Sequence, residues 1–436
     1  MESRPTRDTI ARVSEAAGCA RPPLARPVLL ALATCAAVLA AFGQPAGFNY
    51  DEAAVPAYDL PQLLRRADGG VVETAAGWPA RRAEILGQFE RLVYGAAPAA
   101  PRGMAFSVVE EDAAALGGLA HRKQVRVEFG GDPSVPGMEI LLYTPAGAPG
   151  PVPVFLGLNF GGNHTVRRDP AIRLADRVTA DGLEKGRAAD RGRSAGRWPV
   201  ETLLRRGYGL ATVYCGDLDP DFDDGFRNGV HPLAPPGKPG AWGSIAAWAW
   251  GLSRALDYLQ TDGQVAGSRV AVFGHSRLGK TALWAGARDE RFAMVISNDS
   301  GCGGAALSRR RFGETVERIN TRFPHWFAEN FKAFNGREDE LPVDQHMLLA
   351  LIAPRPLYVA SAEDDLWADP QGEFLAALHA GEVYELLGRR SLRVERRPAV
   401  NRPVLQDMGY HIRAGKHDIT AYDWERYLDF ADRHWR

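Results

Sequence analysis

The segment from Gly274 to Lys280 reads Gly-His-Ser-Arg-Leu-Gly-Lys, directly after a predicted buried strand and at the start of a predicted helix. A serine on such a sharp turn needs neighbours with small side chains, and its hydroxyl then projects beside a helix N-terminus that favours developing negative charge. The usual G-x-S-x-G pattern is not met, since Leu278 occupies the second small position and Gly279 comes one residue later. The segment predicts a nucleophile at Ser276; the alternative is a serine that caps the helix.

A serine hydroxyl is a poor nucleophile at neutral pH, so Ser276 needs a base and a carboxylate that orients the base. In the α/β-hydrolase pattern the histidine follows the last strand and precedes the last helix, and His417 has this position. His411 lies within a predicted strand, His434 near the end of the last predicted helix and His346 within another helix. We therefore expect His417 to be the base and the other three histidines to be structural.

Two carboxylates compete for the third role. Asp299 follows the strand that comes immediately after the nucleophile helix, whereas Asp365 follows the next strand, which is the commoner place for the acid in this fold. Both loops leave the carboxyl ends of parallel strands, so either carboxylate could reach the far nitrogen of His417. The chain order leaves both acids open.

The elements that must position these residues alternate between strands and helices from residue 242 onward, which predicts a parallel sheet. Before that point, residues 124–129 and 138–144 alternate like paired antiparallel strands. The further expected strands are at 152–158, 209–214, 269–273, 292–297, 356–360 and 410–413. The expected helices are at 78–94, 242–259, 279–287, 344–352, 373–387 and 422–434. The expected fold class is α/β, an α/β-hydrolase fold with three layers and a mostly parallel central sheet.

The composition limits the possible partners. Hydrophobic residues are 45% and charged residues 24% of the 436, which is ordinary globular usage. Lys plus Arg number 52 and Asp plus Glu number 53, so the net charge is -1. A protein that neutralises a phosphate backbone carries an excess of basic residues. We therefore expect no nucleic-acid partner.

The first 43 residues have the pattern of a signal peptide. An Arg-containing stretch leads into an uncharged apolar run at residues 28–42, and small residues at Ala41 and Gly43 predict cleavage before Gln44. An uncleaved anchor is the alternative. The expected product is a secreted or periplasmic protein with a single catalytic domain at residues 44–436.

Two further features of the mature chain are left open by the sequence. Cys215 and Cys302 are its only thiols, and they form either one disulfide or two separate buried thiols. No zinc-binding motif appears, so no metal site is expected. The polar, strongly charged residues 167–197 predict an inserted surface loop near the strand ends, with disorder as the alternative.

The stretch from Gly274 to Trp435 resembles the glucuronoyl esterases, carbohydrate esterase family 15, especially their bacterial members. Weaker similarity extends back to residues 159–164, which read NFGGNH. The matching blocks are GHSRLGK at 274–280, SNDSG at 297–301, FPHWF at 323–327, APRP at 353–356, WADP at 367–370 and GKHD at 415–418.

The resemblance implies roles for individual residues. It implies Ser276 as nucleophile, His417 as base and Arg277 as the residue that stabilises the oxyanion. The acid of the family is usually a Glu at the position of Asp299, while some bacterial members have an acid at the position of Asp365. We keep both aspartates as candidates for the acid and favour Asp299.

Three more positions match residues that contact the uronate sugar in family members: Lys280, Glu314 and Trp367. Lys280 lies four residues after Ser276 and hence on the same helix face, and an indole can offer its ring face to a sugar. The alternatives, in which these residues have no role in binding, are a solvated lysine, a surface glutamate and a core tryptophan.

The resemblance implies a serine esterase that cleaves esters between xylan-borne glucuronic acid and lignin alcohols. The expected substrate is a glucuronoxylan or lignin–carbohydrate ester, with no cofactor and a monomeric enzyme. An acetyl xylan esterase with the same triad is the alternative among hydrolases, because a triad specifies acyl transfer and not the acyl group. A non-catalytic carbohydrate-binding relative is the alternative from another class. A dinucleotide-binding oxidoreductase has only the weak support of a late G-x-G-x-x-A match at residues 301–306.

Overall fold

The structure is a computed structural model that describes residues 44–130, 135–233 and 242–436. Strands that are buried on both faces form its centre. The expected signal peptide lies outside the described residues. The strands are β1 (Ala105–Ala114), β2 (Ala120–Glu128), β3 (Met138–Pro145), β4 (Val152–Asn159), β5 (Arg177–Thr179), β6 (Gly182–Glu184), β7 (Gly209–Tyr214), β8 (Val265–His275), β9 (Met294–Asn298), β10 (Leu357–Ala362), β11 (Val404–Leu405) and β12 (Met408–Arg413).

The helices begin at recognisable caps. The side chain of Asp369 accepts the Gly372 N–H at the start of α8, and Thr420 and Asp423 form a capping box at α9. The α-helices are α1 (Trp78–Phe89), the single irregular turn α2 (Ala115–Gly118), α3 (Val200–Arg205), α4 (Ser244–Leu259), α5 (Arg277–Arg288), α6 (Val316–Arg322), α7 (Gln345–Ala350), α8 (Pro370–Leu386) and α9 (Ala421–Trp435). Among the described helices, none has both the length and the apolar character needed to cross a membrane.

The main sheet has ten strands in the order β1-β2-β3-β7-β4-β8-β9-β10-β12-β11. The run from β7 to β12 is parallel, whereas β1, β2 and β3 pair antiparallel at one edge and β11 pairs antiparallel at the other. The parallel strands therefore have their carboxyl ends along one edge, where the loops after β4, β7, β8, β9, β10 and β12 meet.

Two apolar cores, one on each face of the sheet, give the three layers. On β4, Leu156 points into the core with α4, α5 and α8, whereas Phe155 points into the core with α3 and α9. A parallel strand covered on both faces needs such an uninterrupted apolar sequence. The expected α/β-hydrolase sandwich is confirmed.

Most expected elements are present within a few residues of their predicted bounds, including the antiparallel pair β2 and β3. The sequence does not predict β1, because this edge strand is rich in charge and exposes Val108 and Val109. It also does not predict α3 and α6, which have only 6 and 7 residues and so show little helical periodicity.

Residues 167–197 contain the β5–β6 hairpin and two short 3₁₀ turns. The Gly192 N–H donates to the His164 carbonyl at 3.0 Å, and the Ser194 N–H donates to the Thr165 carbonyl at 2.9 Å. These bonds tie the segment to the loop after β4. The polar segment therefore lies against the edge of the sheet that carries the predicted site.

The two cysteines among the described residues are not joined. Cys215 and Cys302 are both free and buried. Burial raises the pKa of each thiol, so both behave as small apolar side chains. The alternative with two separate thiols is the one that the structure has.

Candidate active site

Ser276 stands on a strained turn between β8 and α5, with φ +60° and ψ -132°. Its N–H donates to the carbonyl of Asn298 at 2.9 Å. A Cβ on Gly274 would lie 1.9 Å from the carbonyl oxygen of Leu278, and one on Gly279 would lie 3.1 Å from the carbonyl oxygen of Asn298. The two glycines thus permit the close contacts of a nucleophile elbow, although the second comes one position later than usual.

The predicted nucleophile and base line the same cavity, which has a volume of about 260 Å³. Arg277 lines it as well, so the structure brings together three of the predicted catalytic residues. The other lining residues are Leu158, Phe160, Ser194, Arg197, Trp198, Phe273, His275 and Ile419.

Asp365 is the carboxylate that contacts the predicted base. The Nδ1 atom of His417 lies 2.6 Å from an oxygen of Asp365, whose side chain is only 6% exposed. A carboxylate can only accept, so Nδ1 carries the proton and Nε2 is left free to accept one. This is the tautomer that a serine hydrolase requires.

The sequence favours Asp299 as the acid that orients His417, but in the structure the carboxylate hydrogen-bonded to His417 is Asp365. The Oδ2 atom of Asp299 accepts instead from Arg413 at 3.2 Å and from the Asp418 N–H at 3.2 Å. The short side chain on a backbone with φ +44° is directed to the guanidinium of β12 rather than to the imidazole of His417. Burial, followed by the charges of neighbouring carboxylates including Asp365, raises the pKa of Asp299 well above its usual range.

The carboxylates could in principle hold a cation. Oxygens of Asp299 and Asp365 and a ring nitrogen of His417 lie within 4.8 Å of one another. However, the guanidinium of Arg413 already contacts Asp299, and its positive charge opposes a cation at this place. We therefore assign this group to proton chemistry.

A third buried carboxylate, Glu373 on α8, lies beneath the site. It accepts from the Ser300 N–H at 2.7 Å, the Gly301 N–H at 2.9 Å and the Ser361 hydroxyl at 2.6 Å. Burial raises its pKa to about 7, despite these donors. Glu373 holds the backbone that follows Asp299. The sequence gives no signal for it, because it is one polar residue inside an otherwise ordinary helix pattern.

A second histidine in the cavity was also not expected from the sequence. The rings of His275 and His417 have centroids 4.5 Å apart, and Nδ1 of His275 lies 2.6 Å from the side-chain oxygen of Asn298. Burial, followed by the positive charge of His417, holds the pKa of His275 well below its usual range. His275 therefore packs against the base as a neutral ring.

Three side chains contact the guanidinium of Arg277. Its Nε atom lies 2.7 Å from an oxygen of Asp221, in the acidic loop after β7. Its guanidinium carbon lies 4.7 Å from the ring centre of Phe160 and 5.6 Å from that of Trp326. Both ring distances fall within the range of cation–π contacts.

The three residues matched to sugar contacts lie together. The ammonium of Lys280 lies 4.0 Å from Glu314 and donates to the Ser300 carbonyl at 2.5 Å. The Glu314 N–H donates to the carbonyl of Trp367 at 3.0 Å. The Lys280 and Glu314 side chains are largely buried, at 5% and 9% exposure, so the alternative of solvated surface residues does not describe them. Burial raises the pKa of Glu314.

The chain is similar to known carbohydrate esterases. A family model described as "Glucuronyl esterase, fungi" matches residues 237–388. A carbohydrate esterase from an unknown prokaryotic organism is 52% identical over 406 residues, which cover 90% of this chain and 93% of that protein. A 4-O-methyl-glucuronoyl methylesterase from Schizophyllum commune is 28% identical over 339 residues, which cover 76% of this chain and 74% of that protein.

The fold comparison is equally extensive. A solved structure of a glucuronoyl esterase from Solibacter usitatus has 52% identity and a TM-score of 0.85, covering 88% of this chain and 100% of that one. The similarity therefore extends over most of this chain and over the full length of that structure. This chain belongs to the glucuronoyl esterases of carbohydrate esterase family 15, which are carboxylic ester hydrolases.

Proposed function

We propose that this chain hydrolyses esters between the C6 carboxyl group of xylan-borne glucuronic acid and lignin alcohols. The observation that carries the proposal is the position of a buried polar pair, Lys280 and Glu314, beside the predicted catalytic residues. Lys280 extends from the same helix that begins next to Ser276, and Trp367 follows Asp365 by two residues. The names of the Solibacter and Schizophyllum relatives point to the same acyl group.

In the first half of the reaction, the Ser276 hydroxyl transfers its proton to Nε2 of His417 and attacks the carbonyl carbon of the ester. Asp365 stabilises the imidazolium that forms. The carbonyl oxygen becomes an oxyanion, and Arg277 stabilises its charge. The tetrahedral intermediate collapses when the alcohol oxygen takes the proton from His417 and leaves, so that glucuronate remains bonded to Ser276.

In the second half, a water molecule gives a proton to His417 and attacks the acyl carbon. The second tetrahedral intermediate collapses, the serine oxygen recovers the proton, and the xylan-borne glucuronic acid leaves with a free carboxyl group. Every proton in this scheme moves through Nε2 of His417, and the protein side chains supply all the acid and base chemistry.

The two sides of the ester meet different surroundings in this proposal. The alcohol oxygen must come within hydrogen-bond reach of His417, so the alcohol lies on the His417 side of the nucleophile. The cavity that His417 lines also has three large aromatic rings, those of Phe160, Trp198 and Phe273. The sugar then extends towards Lys280, where an ammonium and a carboxylate can bind hydroxyl groups.

The proposal is tested by comparing two esters under one set of conditions. We expect the protein to hydrolyse a benzyl ester of glucuronic acid with a higher kcat/KM than p-nitrophenyl acetate, although the latter has the better leaving group. Lys280→Met should lower the ratio of the two kcat/KM values about tenfold or more, because it removes a contact to the sugar. Lys332→Met is the control, since this partly exposed lysine pairs only with Glu329 among the described residues. A wild-type protein that prefers acetate would support the acetyl esterase alternative.

We also propose that the protein is exported and acts as a monomer. The support for export is the charged and then apolar pattern of residues 1–43. The support for a monomer is that residues 44–436 form one compact unit with its own cores on both faces of the sheet. Mass spectrometry of the exported protein should give an N-terminus at Gln44, and light scattering should give the mass of one chain.

A further inference from the structure

One carboxylate outside the triad makes three contacts around the predicted oxyanion residue. An oxygen of Asp221 lies 2.7 Å from Nε of Arg277. Its other oxygen accepts from the indole N–H of Trp326 at 2.7 Å and lies 3.0 Å from Nε2 of His325. Since a carboxylate only accepts, His325 presents its protonated Nε2 to Asp221. The acidic loop after β7 is thereby joined to the Phe-Pro-His-Trp-Phe segment and to the start of α5.

The same tryptophan contacts Arg277 directly. The guanidinium carbon lies 4.7 Å from the ring centre of Phe160 and 5.6 Å from that of Trp326. These two ring contacts restrict the guanidinium, and Asp221 adds an ion pair at Nε. An arginine side chain has many rotamers in solution, so a defined position requires contacts of this kind.

Asp221 contacts the guanidinium of Arg277 at Nε, which leaves its two Nη groups available to contact a substrate. The carboxylate forms an ion pair at Nε without a directed hydrogen bond from that atom, and in the part of the chain that the structure describes neither Nη atom of Arg277 donates to the protein. The Arg277 side chain is 29% exposed and lines the cavity with Ser276. With Asp221 paired at the Nε side, the two Nη groups are donors available for the charge that develops on the carbonyl oxygen.

Asp221 keeps its negative charge at the pH of catalysis. Burial raises its pKa, but the hydrogen bond from His325 and the positive charge of Arg277 outweigh burial, so the pKa lies below its ordinary value. The side chain is 24% exposed, and it therefore interacts with Arg277 without being cut off from solvent.

We propose that Asp221 is a positioning residue, which holds the Nε edge of Arg277 so that the Nη groups are left for the oxyanion. The proposal rests on the ester hydrolysis proposed above, in which Arg277 stabilises that charge. It predicts that Asp221 acts on turnover only through Arg277. A residue that merely supports the fold would act whether or not the arginine is present.

A double-mutant cycle of Asp221→Asn and Arg277→Ala tests this, with kcat and KM measured for each variant on a benzyl glucuronate ester. Asn keeps an oxygen that can accept from His325 and Trp326 but removes the charge that faces Arg277. Loss of one oxyanion donor costs about 10²- to 10³-fold in kcat. We therefore expect Arg277→Ala to fall in that range, Asp221→Asn alone to lower kcat about 10- to 100-fold, and neither to change KM more than about threefold.

In the Arg277→Ala background, Asp221→Asn should change kcat less than about twofold, since the interaction it removes is already lost. Asp223→Asn is the matched control, because this exposed acid of the same loop accepts only from the Gly225 N–H within the described residues. It should leave kcat unchanged. Thermal melts establish folding, and Asp221→Glu, which keeps but displaces the charge, replaces Asp221→Asn if the latter does not fold.

Two results would overturn the proposal: an equal loss of kcat from Asp221→Asn in both backgrounds, or a kcat within twofold of wild type in the single variant. The cycle is repeated on p-nitrophenyl acetate, because the same oxyanion forms on any ester. Turnover of acetate without turnover of the glucuronate ester would reject the proposed function, and the acetate cycle would still decide the role of Asp221. A wild-type protein that hydrolyses neither ester would overturn both proposals.

Discussion

The ring of His417 and the carboxylate of Asp365 are joined at 2.6 Å, and this contact links the loop after β12 to the loop after β10. Asp299 lies close to the same pair but is bonded to Arg413. The two carboxylates thus have separate partners, one an imidazole and the other a guanidinium. Asp365 therefore orients the base, whereas Asp299 pairs with Arg413.

Substitution by Asn should separate the two acids. Asp365→Asn removes the negative charge and lets the amide NH₂ donate to Nδ1 of His417, which favours the wrong tautomer, so kcat should fall about 10³- to 10⁴-fold. Asp299→Asn should lower kcat about tenfold or less, because Asp299 accepts from Arg413 and not from His417, and the amide oxygen of Asn can still accept from that guanidinium. Both variants are measured at one pH, with thermal melts. Equal and moderate losses of kcat would mean that both carboxylates share His417.

The pH dependence of stability should reveal Glu373. Burial raises its pKa to about 7 in the folded protein, above the value of about 4.3 expected in the unfolded chain. A raised carboxyl pKa gives stability that is fully present below the unfolded pKa and is lost as the pH rises through the folded pKa. The free energy of unfolding of the wild type, relative to Glu373→Gln, should therefore fall by about 1–3 kcal/mol between pH 4.5 and pH 8.

Urea unfolding of both proteins across this pH range provides the measurement. Glu373→Gln is a suitable reference because its side-chain oxygen can still accept from the N–H groups of Ser300 and Gly301. A difference in free energy that stays constant with pH, or that rises, would show that Glu373 is ionised throughout.

The aromatic side of the cavity should determine the preference for the alcohol. Trp198→Leu should lower the ratio of kcat/KM for the benzyl ester to kcat/KM for the methyl ester about tenfold, because the benzyl ring loses apolar contact area in the cavity. Trp435→Leu is the control, since Trp435 packs on Phe155 and Tyr208, away from the lining of this cavity. An unchanged ratio in Trp198→Leu would place the alcohol elsewhere.

The elbow and its base could be predicted from the sequence because they depend on local order along the chain. A serine between a buried strand and a helix, and a histidine between the last strand and the last helix, are defined by the elements on either side of them. The ranking of Asp299 and Asp365 could not be predicted in this way. Both follow parallel strands, and only the position of Arg413 on β12, two strands away from β9, shows that Asp299 is already paired.

The residues that the sequence does not reveal act through long-range contacts. Asp221 reaches Arg277 and Trp326 from a loop more than fifty residues away in the chain, and Glu373 reaches the backbone after Asp299 from a separate helix. No spacing rule connects such positions. A loop with several acidic residues also gives no reason to choose Asp221 over its neighbours until the fold is known.

The central claim is that Ser276 forms the covalent acyl intermediate. Its most direct test is the turnover of a benzyl glucuronate ester by wild type and by Ser276→Ala, with folding of both confirmed by thermal melts. The account predicts an active wild type, an intact fold in the variant and a loss of kcat of about 10⁴-fold or more, as for other members of catalytic triads. A folded Ser276→Ala variant with near-wild-type turnover would contradict it.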